Sequence, residues 1–229
     1  MTLGARLGLF GGTFDPVHVG HMDAAGAARR ALSLDHVMFI PSHLPPHREA
    51  DPRATAFHRF AMVALATNDE PGYRTSDVEA RRAGTSYTHD TLIGLHSEGW
   101  APSQLFFIIG TDAFAEIALW REFGRLVEGT NFAVVGRPGL TLDTALARTP
   151  ALGNRVQPLA AAHEPSEQTA VYLIDAATRD VSSTLIRAEL AAGRSITGLV
   201  PDAVERHIIR HGLYGAVDEL HGDIQVTQQ

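Results

Sequence analysis

Apolar residues along this chain fall into two patterns that alternate from one end to the other. Short runs, apolar at nearly every position, lie at Arg6–Phe10, Val37–Ile40, Leu105–Ile109, Phe132–Val135 and Val171–Ile174, and Tyr73–Val78 reads as a further strand. Unbroken apolar character marks a strand covered on both faces, and Leu105-Phe106-Phe107-Ile108-Ile109 shows it most clearly. Between these runs, apolar residues recur at helical spacing. Met22–Leu32, Thr55–Thr67 (through Phe57, Phe60, Ala61, Val63 and Ala64), Thr88–His96, Ser183–Ala192 and Asp202–His211 are expected to be helices. Strands alternating with helices imply right-handed crossovers, hence an α/β, Rossmann-like, doubly wound parallel sheet with helices on both faces. Residues 1–214 are read as one domain. Gly136–Thr169, rich in Pro, Ala, Gly and Thr with weak periodicity, is read as a surface excursion, and residues 215–229 as a polar tail.

Ligands of such sheets bind at the carboxyl ends of the strands, near a reversal of strand order. The Gly11–His21 turn, the Pro41–Arg48 loop and Gly110-Thr111-Asp112 each follow an expected strand directly, which places all three at one edge. The first is the most informative. Gly11-Gly12-Thr13-Phe14-Asp15-Pro16-Val17-His18-Val19-Gly20-His21 joins a strand to a helix start, where unpaired N–H groups attract phosphate. Gly11 and Gly12 are expected to adopt dihedrals closed to other residues and let backbone approach the anion. Thr13 offers a donor, Asp15 is a candidate helix cap, and His18 and His21 face one side of the first turn. A zinc reading of the pair is weak, because helical zinc-binding histidines usually sit four apart and no third ligand is evident.

A second phosphate cradle is readable at Val181-Ser182-Ser183-Thr184-Leu185-Ile186-Arg187. Hydroxyls at a helix start combine there with a forked, permanently charged group one turn in. Composition limits the partners. A net charge of −7 with no Lys/Arg block argues against a nucleic-acid partner. The absence of cysteine excludes disulfides and thiolate catalysis. No apolar run reaches the roughly 18 residues of a membrane span. No export signal is seen at the N-terminus, so a cytoplasmic location is expected.

The string GGTFDPVHVGH resembles the T/HxGH motif of the nucleotidyltransferase superfamily, and in its full form that of bacterial nicotinate-nucleotide adenylyltransferases. Val181–Arg187 resembles the ISSTxxR motif, with Val181 in place of isoleucine. Four further segments are similar to the same family: Pro41–Arg48 to PxxxPPHK, with Arg48 for lysine; Glu79–Leu92 to ExxRxGxSYTxDTL; Phe106–Trp120 to FIIGxDxxxxxxxW; and Val134–Gly139 with His211–Tyr214 to VxRPG and HGLY. The resemblance implies the nucleotidylyl transferase fold and transfer of AMP from ATP to nicotinate mononucleotide, in NAD biosynthesis. It implies ATP contacts from Gly11, Gly12, Thr13, Phe14, His18, His21, Ser182, Ser183, Thr184 and Arg187, with His18, His21 and Arg187 catalytic. It implies mononucleotide contacts from Ser42, His47, Arg48, Thr85, Ser86, Tyr87, Asp112, Trp120 and Arg137, with Trp120 stacked on the pyridine ring and the ring carboxylate near Thr85–Tyr87. Magnesium is expected to be held mainly by the ATP phosphates and water, not by a protein metal site. A homo-oligomer is compatible with the sequence. Three rival readings stand beside this one: an enzyme using nicotinamide mononucleotide or both substrates, a non-catalytic nucleotide-binding sensor, and an RNA-binding relative, the last disfavoured by the acidic charge.

Overall fold

The computed structural model describes residues 4–46, 52–82, 84–136, 140–164 and 166–216. Its centre is a six-stranded parallel sheet of β1 (Leu7–Gly12), β2 (His36–Pro41), β3 (Tyr73–Thr75), β4 (Leu105–Gly110), β5 (Asn131–Val135) and β6 (Val171–Ile174). Spatial order is β3-β2-β1-β4-β5-β6, so the order reverses between β1 and β4. All six expected strands form, β3 ending earlier than its apolar pattern. The N–H of Ser76 makes the last bond to β2, at the Phe39 carbonyl, 2.9 Å away.

Alternate residues of each strand serve two cores, as the pleat requires. Phe10, Phe39, Phe106 and Ile108 face one core, covered by α1 (Val19–Ala31) and α8 (Asp202–Arg210) through Ala24, Ala28, Val204 and Ile208. Leu9, Phe107, Ile109 and Phe132 face the other, with Leu92 of α3 (Thr88–Ser97) and Leu126 of α5 (Phe123–Gly129). The helices α2 (Ala56–Thr67) and α7 (Ser183–Ala191) complete the expected set.

Three short helices have no legible signal in the sequence: α4 (Thr111–Phe114), α5, and α6 (Leu142–Ala147). The last lies within Gly136–Thr169. Thr141 caps α6 by accepting the Thr144 N–H, and 3-10 turns at Pro150–Arg155 and Leu159–His163 follow. Ala145 and Leu152 are buried in one core and Ala162 in the other, and Thr149 is buried beside α6. Single-turn elements and small side chains carry this packing, and neither leaves a periodic signal. Residues 217–229 of the expected tail lie outside the described residues. Among the described residues no helix is long and apolar enough to cross a membrane.

Two features of this frame open and brace the site. β1 pairs with β2 as far as Gly12, but with β4 only over Leu7–Leu9. The carboxyl ends of β1 and β4 are therefore not bonded to each other, which leaves a crevice at the reversal. Behind it, α2 packs on α8 through three imidazoles. Nδ1 of His58 lies 3.1 Å from Nε2 of His207, and the His211 ring is centred 4.5 Å from that of His207.

Burial, then the neighbouring His211 and His58, lower the pKa of His207 from its ordinary 6.5. The folded chain thus resists protonating this group while the unfolded chain accepts a proton near pH 6.5, so stability is lost as pH falls below that value. Thermal unfolding is expected to shift to lower temperature on acidification from pH 7, and less steeply in His207→Gln. Parallel melting-temperature profiles for the two proteins would contradict this.

Candidate active site

The first histidine ends the loop rather than sitting inside the helix. His18 is the N-cap of α1, in extended conformation, and its N–H donates to Nδ1 of His21 at 3.2 Å. That bond fixes Nδ1 of His21 as an acceptor, so a neutral His21 carries its proton on Nε2 as a donor. The two rings lie face to face, centroids 3.6 Å apart and inclined by 31°. Helix α1 starts at Val19, three residues before the apolar pattern suggests, because the cap is imidazole rather than a hydroxyl or carboxylate.

Gly20 has a specific reason. A Cβ there would stand 3.1 Å from the Arg179 carbonyl oxygen and 3.2 Å from the His18 ring. Gly12 is similarly crowded, since a Cβ would meet the Phe14 ring at 3.0 Å. Neither Gly11 nor Gly12 has positive φ, however. They continue β1, and the left-handed residue is Phe14, at φ 52°. This corrects the expectation that the glycines supply unusual dihedrals.

Phe14 itself is 2% exposed, its ring centred 5.0 Å from that of His21 and packed near Phe10 and Phe39. Its side chain therefore packs against His21 in the core. Asp15 does not cap α1. Its buried carboxylate accepts the N–H groups of Arg53 and Ala54 and the Tyr214 hydroxyl, at 2.8, 3.0 and 2.8 Å.

The second motif docks onto the first. Ser182 caps α7, its Oγ accepting the Leu185 N–H at 3.1 Å. The Ser183 hydroxyl donates to the Pro16 carbonyl at 2.9 Å, and Arg187 donates to the Asp15 carbonyl at 2.7 Å and to Thr184 Oγ1 at 3.2 Å. Ser183 and Arg187 thus join the start of α7 to the loop that carries His18, while Ser182 and Thr184 bond within α7. A guanidinium has five donors, so Arg187 keeps others for an anion.

Beside this junction a cavity is lined by Gly11, Gly12, Thr13, Ser42, Pro45, Pro46, Glu79, Ser86, Tyr87, Thr88, Phe107, Trp120, Arg121 and Leu126. Trp120 meets the Phe107 ring edge-on at 5.9 Å. Ser86 Oγ accepts the His43 N–H at 2.8 Å, and the Ser86 N–H is spent on the Leu44 carbonyl. Within Thr85–Tyr87 the backbone donor of Ser86 is therefore already committed. Thr85 bridges to Leu44 just outside the cavity wall. Asp112 is exposed on the first turn of α4, at the end of β4, and does not line the cavity. His47, Arg48 and Arg137 lie outside the described residues.

Comparison with known proteins settles the family. The cytidylyltransferase-like family model matches residues 9–189. A "probable nicotinate-nucleotide adenylyltransferase" of Syntrophotalea carbinolica is 40% identical over 215 residues, covering 91% of this chain and 97% of its own. One of the same name from Roseiflexus sp. strain RS-1 is 41% identical over 212 residues, covering 92% and 98%. The chain belongs to the nicotinate-nucleotide adenylyltransferase family. In fold it is similar to the Plasmodium falciparum nicotinic acid mononucleotide adenylyltransferase solved in complex with NaAD, with TM-score 0.71 at 16% identity over 93% of this chain and 98% of that one.

Three residues of this adenylyltransferase site have contacts that no motif reveals, and Arg59 lies outside the motifs altogether. Arg59 on α2 is 1% exposed and donates to the carbonyls of Thr13, Ser42, His43 and Ala54, at 2.9, 2.6, 2.8 and 3.1 Å. It ties the β1 and β2 loops together from below. Glu79 is buried on the cavity wall and accepts the Thr91 hydroxyl at 2.7 Å; burial raises its pKa, and its bonds to Thr91 and Ser86 only partly offset that. Tyr214, in the HGLY ending, is pushed upward by burial and by the charge of Asp15. A buried arginine in an amphipathic helix is indistinguishable by sequence from a surface one; its burial is the only signal, and that appears with the fold.

Proposed function

We propose that this chain transfers AMP from ATP to nicotinate mononucleotide, giving nicotinate adenine dinucleotide and pyrophosphate, by direct displacement at the α-phosphorus. The observation that carries this reading is the joining of the α7 start, through Ser183 and Arg187, to the loop before α1. Two helix N-termini and two imidazoles then stand together beside a cavity whose wall, Gly11–Thr13, is the same loop. Helix N-termini and a guanidinium suit a polyphosphate. The aromatic side chains that line the cavity, Trp120 and Tyr87, suit a pyridine ring.

In this assignment His18 and His21 donate to the ATP phosphates, with Nε2 of His21 nearest the α-phosphate. The Ser182–Thr184 turn and Arg187 hold the β- and γ-phosphates and stabilise departing pyrophosphate. The backbone donors at the start of α3, other than that of Ser86, receive the ring carboxylate. The nucleophile is already a phosphate oxygen, largely ionised at pH 7 because its second pKa is about 6. Rate enhancement therefore comes from positioning and from donors aimed at developing charge. The imidazoles, hydroxyls and guanidinium of the phosphate end are anion donors, and they fit a magnesium ion that arrives with the phosphates and keeps its water. When bound, that ion neutralises phosphate charge.

Product formation by the purified chain, with ATP, magnesium and either nicotinate or nicotinamide mononucleotide, tests the reading. Dinucleotide and pyrophosphate in equal amounts, with the acid preferred, are expected. Comparable use of the amide would make the chain a dual-specificity enzyme, and ATP binding without turnover would make it a sensor.

A further inference from the structure

The cavity holds two charged side chains of opposite sign, and they are not equivalent. Glu79 is buried, and its carboxylate is turned onto the Thr91 hydroxyl at 2.7 Å and bonded to Ser86. Arg121 stands at the rim, its side chain about half exposed, with its guanidinium carbon 4.6 Å from the centre of the Tyr87 ring. Stacking on an aromatic face holds a guanidinium in place while leaving its edge donors available. The only anion paired with it among the described residues is Asp90, and weakly, at 4.0 Å. The wall thus offers an incoming molecule one ordered cation, while the opposing carboxylate is occupied by hydroxyl donors.

We propose that Arg121 is a specificity-determining residue, selecting a pyridine mononucleotide with an anionic ring substituent over its neutral amide counterpart. This rests on the adenylyl-transfer reading above and extends it to a residue outside every motif. A cation near the rim acts through a partly solvated field, which makes its effect moderate and sensitive to salt. It acts on binding of the acid, whereas the backbone donors at the start of α3 serve either substituent.

The test is kcat/KM for nicotinate mononucleotide and nicotinamide mononucleotide in the wild type, Arg121→Gln and Arg121→Lys. Arg121→Gln is expected to lower the acid-to-amide ratio about fivefold to tenfold, through KM for the acid, with the amide value unchanged. Arg121→Lys should restore at least half of the preference. An unchanged ratio would overturn the proposal. So would equal losses on both substrates, since these would place the guanidinium on the phosphate or ribose that the two share, or make it only a support for Tyr87. If Arg121→Gln does not fold, the wild type decides: its acid preference should shrink between 50 and 500 mM salt, and a salt-independent ratio would overturn the proposal. Absence of turnover by the wild type on both substrates would instead defeat the adenylyl-transfer reading itself.

Discussion

His21→Ala is expected to lower kcat by two decades or more while leaving the unfolding temperature close to that of the wild type. The magnitude is that of losing one pre-positioned donor to charge that develops in the transition state. The geometry explains why this donor is pre-positioned. The backbone N–H of His18 holds Nδ1 and the ring is wedged against Phe14, which orients Nε2 as the donor. His21→Asn, which keeps a donor but not its reach, should fall between the two. A steady-state assay beside a thermal melt decides the matter. Near-normal kcat in a folded His21→Ala protein would remove the residue from the chemistry.

Arg59→Met should produce the largest loss of stability of any single change near the site, about 3 kcal/mol or more. The substitution keeps the apolar stem but leaves four carbonyl oxygens without their donor in a buried place. Each such orphaned group costs roughly 1–3 kcal/mol, reduced where water can enter. Urea unfolding measures the loss directly. Because the same guanidinium spans the Thr13 and Ser42 loops, KM for both substrates should rise together in any folded fraction. A loss below about 1 kcal/mol would mean that these loops hold their shape without it.

How far the sequence can be read depends on where each physical signal lives. The strands are legible because a strand covered on both faces must be apolar at consecutive positions, as Leu105–Ile109 is. The phosphate segments are legible because anion binding at a helix start uses few residues and fixed spacing. Short helices are not, since α4 to α6 span one or two turns each, too few for a period to emerge.

Contacts between residues far apart in the chain are invisible for another reason. Arg59, Asp15 and Tyr214 act through partners 46, 38 and 199 positions away in the chain, and no local pattern encodes such contacts. Asp15 reads as a helix cap because it precedes a helix; its carboxylate instead joins Arg53, Ala54 and Tyr214. Phe14 lies inside the motif with left-handed backbone, and its ring is part of the core, a placement that the motif alone does not reveal.

Direct displacement at the α-phosphorus is tested most sharply by isotope exchange between labelled pyrophosphate and ATP. With no enzyme group placed as a nucleophile, label should enter ATP only when nicotinate mononucleotide or the dinucleotide product is present. Exchange with ATP and enzyme alone would require an adenylyl-enzyme intermediate, and would contradict the assignment of His18 and His21 as hydrogen-bond donors to phosphate.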